Sequence, residues 1–308
     1  MAFFQLTMGL VTFMTLEQYA NLAQQIRPAF QAKMREERLP VAAEAALSRC
    51  YLPLAHWLHT QKPAGRTLVL GVNGAQGSGK STLCAFLTLI LREAYGYNVA
   101  GLSIDDLYLT RAERLHRAQT VHPLFATRGV PGTHDVAWGL RLLDALTGQA
   151  SGPVALPCFD KAADDRRPEA TWPLAQAPAD VVILEGWCVG LKPQAEAALD
   201  EPVNDLERDE DSAGVWRRQV NRQLAGPYAE LFARLDRLLF LRVPSFDCVS
   251  RWRGLQEQKL AAQVMDAQAL HRFIMHYERL TRHALDNLAQ HADLTLDLND
   301  NHELPSLI

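Results

Sequence analysis

The sequence predicts an α/β fold, a three-layer sandwich around a mainly parallel five-stranded sheet, with a helical N-terminal extension ahead of it. Three observations carry this. From Thr67 onward, apolar runs of strand length alternate with amphipathic helical stretches, the pattern of a parallel sheet covered on both faces. The first of these strands runs straight into Gly74-Ala75-Gln76-Gly77-Ser78-Gly79-Lys80-Ser81-Thr82, which has the Gly-x-x-x-x-Gly-Lys-Ser spacing of a phosphate-cradling P-loop. Two further strands end in carboxylates, Asp105 and Glu185, on the edge where such sheets hold ligands.

Each element follows in order. Thr15-Leu16-Glu17-Gln18 has the form of a capping box, and a helix to about Glu37 is expected behind it. A second helical stretch covers 40–61, with a kink or break at Pro53. These form the extension, 1–62, a packing or dimer element; the sheet domain is 63–308. Strands are expected at 67–72, 99–104, 154–156, 180–184, 237–243 and 292–298. Helices are expected at 80–93, 110–119, 136–148 (capped by Asp135), 216–235 with a break near Gly226-Pro227, 245–260 and 266–290. Arg111, Arg114 and Arg117 read as a solvated helix face. Residues 200–214 carry seven acids and one arginine and read as a mobile solvated loop.

Composition narrows the function classes. The 308 residues are 48% hydrophobic and 21% charged, which is ordinary for a globular chain. A net charge of −4 gives no global attraction to nucleic acid or to anionic membranes, so neither is expected as a partner. The five cysteines are widely spaced, so a disulfide framework or zinc site is not expected and a reducing cytoplasm is the expected location. Residues 3–14 are apolar but too short to span a bilayer, and no Lys or Arg precedes Arg27. Residues 1–13 are expected to be an upstream-start artefact or a flexible lead.

The motifs carry the chemistry. Glycines let the backbone approach a polyphosphate, and successive N–H groups with the following helix N-terminus form an anion nest. Lys80 would bridge the β- and γ-phosphates, and the Ser81 hydroxyl would ligate Mg²⁺. Glu185, after the apolar run 180–184, reads as a Walker B acid that holds Mg²⁺ directly or through water. Asp105 could accept a proton from a substrate hydroxyl, or merely cap a turn. Arg128 or His134 in Arg128-Gly129-Val130-Pro131-Gly132-Thr133-His134-Asp135 could hold a substrate carboxylate. Arg166-Arg167, after Phe159-Asp160-Lys161, make a fork for a carboxylate or phosphate.

With P-loop, Asp105-Asp106-Leu107-Tyr108, Gly132-Thr133-His134-Asp135, Phe159-Asp160-Lys161 and Leu184-Glu185-Gly186-Trp187 in this order, residues 40–300 resemble the P-loop D-glycerate 3-kinase family. That family groups with phosphoribulokinase, uridine kinase and bacterial pantothenate kinase. The resemblance implies that Lys80, Ser81 and Thr82 anchor ATP–Mg²⁺, that Asp105 is the general base with Tyr108 beside it, and that Glu185 is the strand-end acid. It also implies a lid around 245–262 that brings Arg251 and Arg253 to the transferring phosphate. The chain departs from the family at Leu107, where Phe is common, at Cys188-Val189, in the glycine-poor run 162–167 and in the acidic stretch 200–214.

The expected reaction is Mg²⁺-dependent transfer of the ATP γ-phosphoryl group to a hydroxyl of a small carboxylate, D-glycerate first. Arg128, His134, Lys161, Arg166 and Arg167 form the pool for the acceptor's carboxylate. Another acceptor, such as pantothenate, a nucleoside or a sugar phosphate, is the alternative, and Trp187 and Tyr108 would serve as stacking surfaces for a nucleoside. A nucleotide-gated switch is the other alternative, although a GTPase-type Asn-Lys-x-Asp motif is missing.

Overall fold

The computed structural model describes residues 14–259 and 266–307. The expected lead, 1–13, and the far end of the expected lid, 260–262, lie outside the described residues. Helix α1 (Leu16–Glu36) begins with the capping box: Thr15 Oγ1 accepts from the Gln18 N–H, and Gln18 Oε1 accepts from the Thr15 N–H. A 3₁₀ turn (Val41–Ala45) and a π turn (Leu47–Tyr51) lead into α2 (Leu52–Gln61), with Pro53 in its first turn, where a missing N–H leaves no helical bond unmade. The chain does not leave the helical region here: Tyr51 and Leu52 both have right-handed helical angles, and the expected kink or break at Pro53 is a change from π to α hydrogen bonding just ahead of it.

The remaining elements are β1 (Leu68–Gly74), α3 (Lys80–Tyr95), β2 (Val99–Ser103), α4 (Arg111–Thr120), α5 (Val136–Asp144), β3 (Gly152–Ala155), β4 (Phe159–Asp160), β5 (Asp165–Arg166), β6 (Leu174–Ala177) and β7 (Val181–Gly186). After them come α6 (Asp205–Glu210), α7 (Val215–Ala225), α8 (Pro227–Phe232), β8 (Arg237–Arg242), α9 (Phe246–Lys259), α10 (Ala267–Asn287) and β9 (Leu294–Asp297). The central sheet has the order β2-β7-β1-β8-β9, and every neighbouring pair is parallel. All its strands therefore finish on one edge, which collects Gly74, Ser103, Gly186 and Arg242. The strand expected at 154–156 lies outside this sheet: β3 pairs antiparallel with β6 as a separate ribbon, and β4 pairs with β5.

Alternation along the strands divides the core into two layers. Leu68, Leu70, Val72, Val181 and Ile183 face a cluster built with α1, α2, α3 and α9. Val69, Leu102, Val182 and Leu184 face a second cluster built with α5, α7, α8 and α10. The helical extension is thus part of the first layer, where Phe30, Tyr51 and Phe86 meet with centroid separations of 4.4–5.4 Å. Each such ring contributes ~1.5–3 kcal/mol by leaving water. After β9, the His302 ring stacks on Trp252 of α9 at 4.2 Å, and the Leu307 N–H donates to the Arg49 carbonyl at 2.7 Å.

The acidic stretch 200–214 corrects the sequence expectation. Its middle folds as α6, and the stretch is tied down by buried ion pairs. Glu207 takes two bonds from Arg279, at 2.7 and 2.6 Å, and Asp211 pairs with Arg217 at 3.1 Å. The partner arginines lie on α7 and α10, so the composition of the loop alone could not reveal them. Among the described residues, no helix is long and apolar enough to cross a membrane, and all five cysteines are free.

Candidate active site

The P-loop links β1 to α3. Gly79 sits at the helix N-cap with φ +86°, a left-handed conformation that a Cβ would strain, and it turns the chain so that the α3 N–H groups face the loop. Register then supplies the acid: Ser103 of β2 and Val72 of β1 both lie opposite Glu185 of β7. Ser81 Oγ donates to Glu185 Oε1 at 2.8 Å. Lys80 Nζ lies 3.9 Å from Glu185 Oε2, a buried oxygen with no hydrogen-bond partner. An orphaned carboxylate oxygen beside a hydroxyl and an ammonium is a donor set that fits a divalent cation carrying phosphate oxygens.

Asp105 lies just past β2, in a 3₁₀ turn capped by Ser103, whose Oγ accepts from the Asp105 N–H at 3.3 Å. Its Oδ1 accepts from the Tyr108 hydroxyl at 2.9 Å and its Oδ2 from Lys161 Nζ at 2.6 Å. Burial by itself would raise its pKa. The charges of Lys161 and of the P-loop Lys80 outweigh burial and hold Asp105 well below the usual carboxylate range. Asp106 behaves oppositely: burial pushes it up to about 6, although it accepts the Phe159 N–H at 2.9 Å.

Three chain segments pack around Asp105. Tyr108 is buried, with its ring stacked on His134 at 4.5 Å. His134 is 5% exposed. Its Nδ1 meets the Tyr228 hydroxyl at 2.5 Å while its Nε2 has no partner. Burial pulls its pKa down to about 3, so the imidazole is neutral and supports Tyr108 rather than offering a positive charge. Arg128 Nη1 pairs with Asp164, and Arg128 Nη2 donates to the Lys161 carbonyl at 3.1 Å. Gly129 follows with φ +143°, and a Cβ there would lie 2.3 Å from the Tyr277 hydroxyl. Arg166 Nε donates to the Tyr108 carbonyl at 2.9 Å, and its buried Nη2 lies 3.7 Å from Asp135 Oδ2, an ion pair without hydrogen-bond geometry. Lys161 and Arg167 are the exposed cations of this group.

Two further expectations are corrected here. Arg114, read as part of a solvated face, has a side chain that is 0% exposed. It donates to the Leu109 carbonyl at 2.7 Å, the Asp164 carbonyl at 3.0 Å and Asp164 Oδ2 at 2.5 Å. It thereby fastens the turn that carries Lys161. Trp187, considered as a stacking surface, is buried against Tyr277 at 4.7 Å and donates to the Gly129 carbonyl at 3.1 Å. Arg114, Asp164, Tyr228 and Tyr277 were invisible as site residues because their partners lie far away in sequence. The only local hint was that Arg114 begins the second turn of a helix opened by the Thr110–Glu113 capping box.

The expected lid helix does reach the P-loop. A Cβ on Gly77 would lie 3.2 Å from Trp252 Cβ. Its two arginines turn elsewhere: Arg251 lies 3.6 Å from Asp300, and the Arg253 guanidinium sits 5.6 Å from the Phe273 ring centroid.

Comparison with known proteins agrees with this geometry. The chain is 35% identical over 227 residues to the uncharacterized kinase mug58 of Schizosaccharomyces pombe, spanning 70% of this chain and 80% of that one. It is 28% identical over 240 residues to chloroplastic D-glycerate 3-kinase of Arabidopsis thaliana, spanning 72% of this chain and half of that one. This chain belongs to the P-loop D-glycerate 3-kinase family. The solved D-glycerate 3-kinase of Cryptococcus neoformans superposes with a TM-score of 0.67 at 25% identity, covering 81% of this chain and 95% of that one. A family model described as methylmalonyl Co-A mutase-associated GTPase MeaB matches residues 54–108. That stretch holds the P-loop and Asp105, and it stops before Glu185 and before every cation of the acceptor side.

Proposed function

We propose that this kinase transfers the γ-phosphoryl group of ATP to a hydroxyl of D-glycerate, giving 3-phosphoglycerate, with Mg²⁺ as cofactor and in a reducing cytoplasm. The observation that carries it is Asp105, bonded to Lys161 and within the field of Lys80. A proton acceptor, a cation able to take a carboxylate, and the phosphate-binding lysine share one edge of the sheet. The D-glycerate assignment rests on the named relatives, and the exposed Lys161 ammonium beside Asp105 suits a small acid.

The mechanism follows from phosphoryl transfer, in which positioning and charge neutralisation matter more than covalent help. The α3 N-terminus, the loop N–H groups and Lys80 receive the phosphates. Ser81 and Glu185 would hold Mg²⁺, which neutralises phosphate charge when bound. Asp105 orients the acceptor hydroxyl and takes its proton. Tyr108 fixes the Asp105 carboxylate and is itself fixed by His134. Lys161 would meet the acceptor carboxylate, with Arg166 and Arg167 behind it on the same strand-turn unit; Arg166 would have to share its Nη2 with Asp135, which lies 3.7 Å away. Arg128 keeps the Lys161 turn in place, since its guanidinium already serves Asp164 and the Lys161 carbonyl. Arg251 and Arg253, on the part of α9 that packs on Gly77, would reach the transferring phosphate by exchanging their present side-chain contacts for it.

The test is coupled ADP release with ATP–Mg²⁺ across D-glycerate, L-glycerate, pantothenate, uridine and ribulose 5-phosphate. Turnover with D-glycerate alone is expected. Faster turnover with any other acceptor, or none with all five, overturns the acceptor assignment.

A further inference from the structure

We propose that Lys161 masks the Asp105 carboxylate until an anionic acceptor draws it away, so that ATP is not hydrolysed while the acceptor site is empty. The inference rests on the reading of Asp105 as the base.

The two oxygens of Asp105 are held by very different groups. Tyr108, on Oδ1, is immobilised: buried, stacked on His134 and edge-on to Phe159 at 5.2 Å. Lys161, on Oδ2, has a side chain that is 62% exposed, on the turn between β4 and β5. The backbone beneath it is anchored. The Lys161 carbonyl is held by Arg128, and Asp164, three residues on, is held by both Arg114 and Arg128. A fixed turn therefore carries an exposed side chain whose ammonium is held by one partner, the Asp105 carboxylate.

Tyr108 takes one lone pair of Oδ1, and the ammonium on Oδ2 covers that oxygen and lowers the basicity of the whole carboxylate, so the lone pairs that remain are poor proton acceptors while Lys161 stays in place. An acceptor with its own carboxylate offers Lys161 a replacement partner. The exchange keeps the ammonium paired, so differential binding of the acceptor can drive it. Water offers no such replacement, and Asp105 stays covered. In the side reaction this prevents, the oxygen of water bonds to the γ-phosphorus as the bond to the β–γ bridging oxygen breaks. The water proton passes to Asp105, leaving ADP and phosphate. In the productive reaction the acceptor hydroxyl takes the place of water, and the products are ADP and the phosphorylated acid.

The experiment compares the full-length protein with Lys161→Met and Lys161→Arg. ADP release is measured without acceptor and then against D-glycerate concentration. Lys161→Met should raise the acceptor-independent rate about tenfold, a fraction of the ~10²–10⁴ a general base can supply. It should also raise KM for D-glycerate more than it lowers kcat. Lys161→Arg should restore the low basal rate. Adding Asp105→Asn to Lys161→Met should return the basal rate to that of the unmodified protein. A basal rate in Lys161→Met at or below that of the unmodified protein, or a gain that survives Asp105→Asn, overturns the proposal. If the unmodified protein does not use D-glycerate, the acceptor assignment fails while the basal arm still decides the masking.

Discussion

The nucleotide side and the acceptor side of this site are built on opposite principles. The phosphate cradle is nine consecutive residues, Gly74–Thr82, joined by one acid from the neighbouring strand. The acceptor side gathers Asp105 and Tyr108, Arg128 and His134, Lys161 and Asp164, Tyr228 and Tyr277 from five separate stretches. Backbone N–H groups bind phosphate, and they come from adjacent residues, so a short motif suffices. Reading a carboxylate takes side-chain charges from several directions, so it depends on long-range folding. The two sides should therefore respond separately to substitution.

The sharpest separation should come from Asp105→Asn. If Asp105 is the base, kcat with D-glycerate should fall by ~10²–10⁴. ATP affinity, set by the P-loop, should change by less than about threefold, roughly 0.65 kcal/mol. Coupled ADP release and calorimetric nucleotide binding check the two halves of the statement. Near-normal turnover would remove Asp105 from the chemistry and erase the distinction drawn here.

Arg114→Met should act on the acceptor side through the fold. It leaves Asp164 with one cation fewer and three half-buried carbonyls without their donor, a loss of ~3 kcal/mol. A thermal melt should show the destabilisation, and KM for the acceptor should rise while the nucleotide Kd holds. An unchanged acceptor KM would mean that the Lys161 turn does not need this anchor.

The same division explains what could be read from the sequence. All five sheet strands were legible as apolar runs, and Glu185 was legible because its strand, 180–184, is apolar to the end. The Thr15 capping box was also local and was read correctly. Arg114 was misread because arginines three apart on a polar helix look solvated, and its partner Asp164 is fifty residues away. The acidic stretch 200–214 was misread as mobile for the same reason: Arg217 and Arg279 neutralise it from other helices. His134 was legible as a site residue, but its neutrality follows from burial beneath Tyr108, which no spacing reports.

That neutrality gives a pH test of the acceptor side. Burial holds His134 near 3 in the folded protein, while an unfolded histidine titrates near 6.5. Above pH 6.5 both states are neutral and the group contributes no pH dependence. Below it the unfolded chain takes up a proton that the folded one refuses, so stability falls as the pH drops from 6.5 toward 3. At pH 5 the loss from this one group is ~2 kcal/mol, from about 1.4 kcal/mol per pH unit. Urea unfolding at pH 7 and pH 5 should show it, and His134→Asn should shrink the difference. An equal difference in that variant would place the acid sensitivity elsewhere.

The smallest expected effect concerns the nucleoside alternative. Trp187 lies inside the second core layer, with its indole N–H on the Gly129 carbonyl and its ring against Tyr277. Tyr108 likewise has one ring face covered by His134. Trp187→Phe keeps an apolar ring in place and leaves one buried carbonyl without its donor, a cost of ~1–2 kcal/mol in stability. Because the ring supports Arg128-Gly129 from behind, acceptor preference across the five-compound panel should stay as it is, with uridine inactive in both proteins. A variant that lost turnover on one acceptor while gaining it on another would show that Trp187 reaches the acceptor after all. The acceptor side would then be open to bases as well as acids.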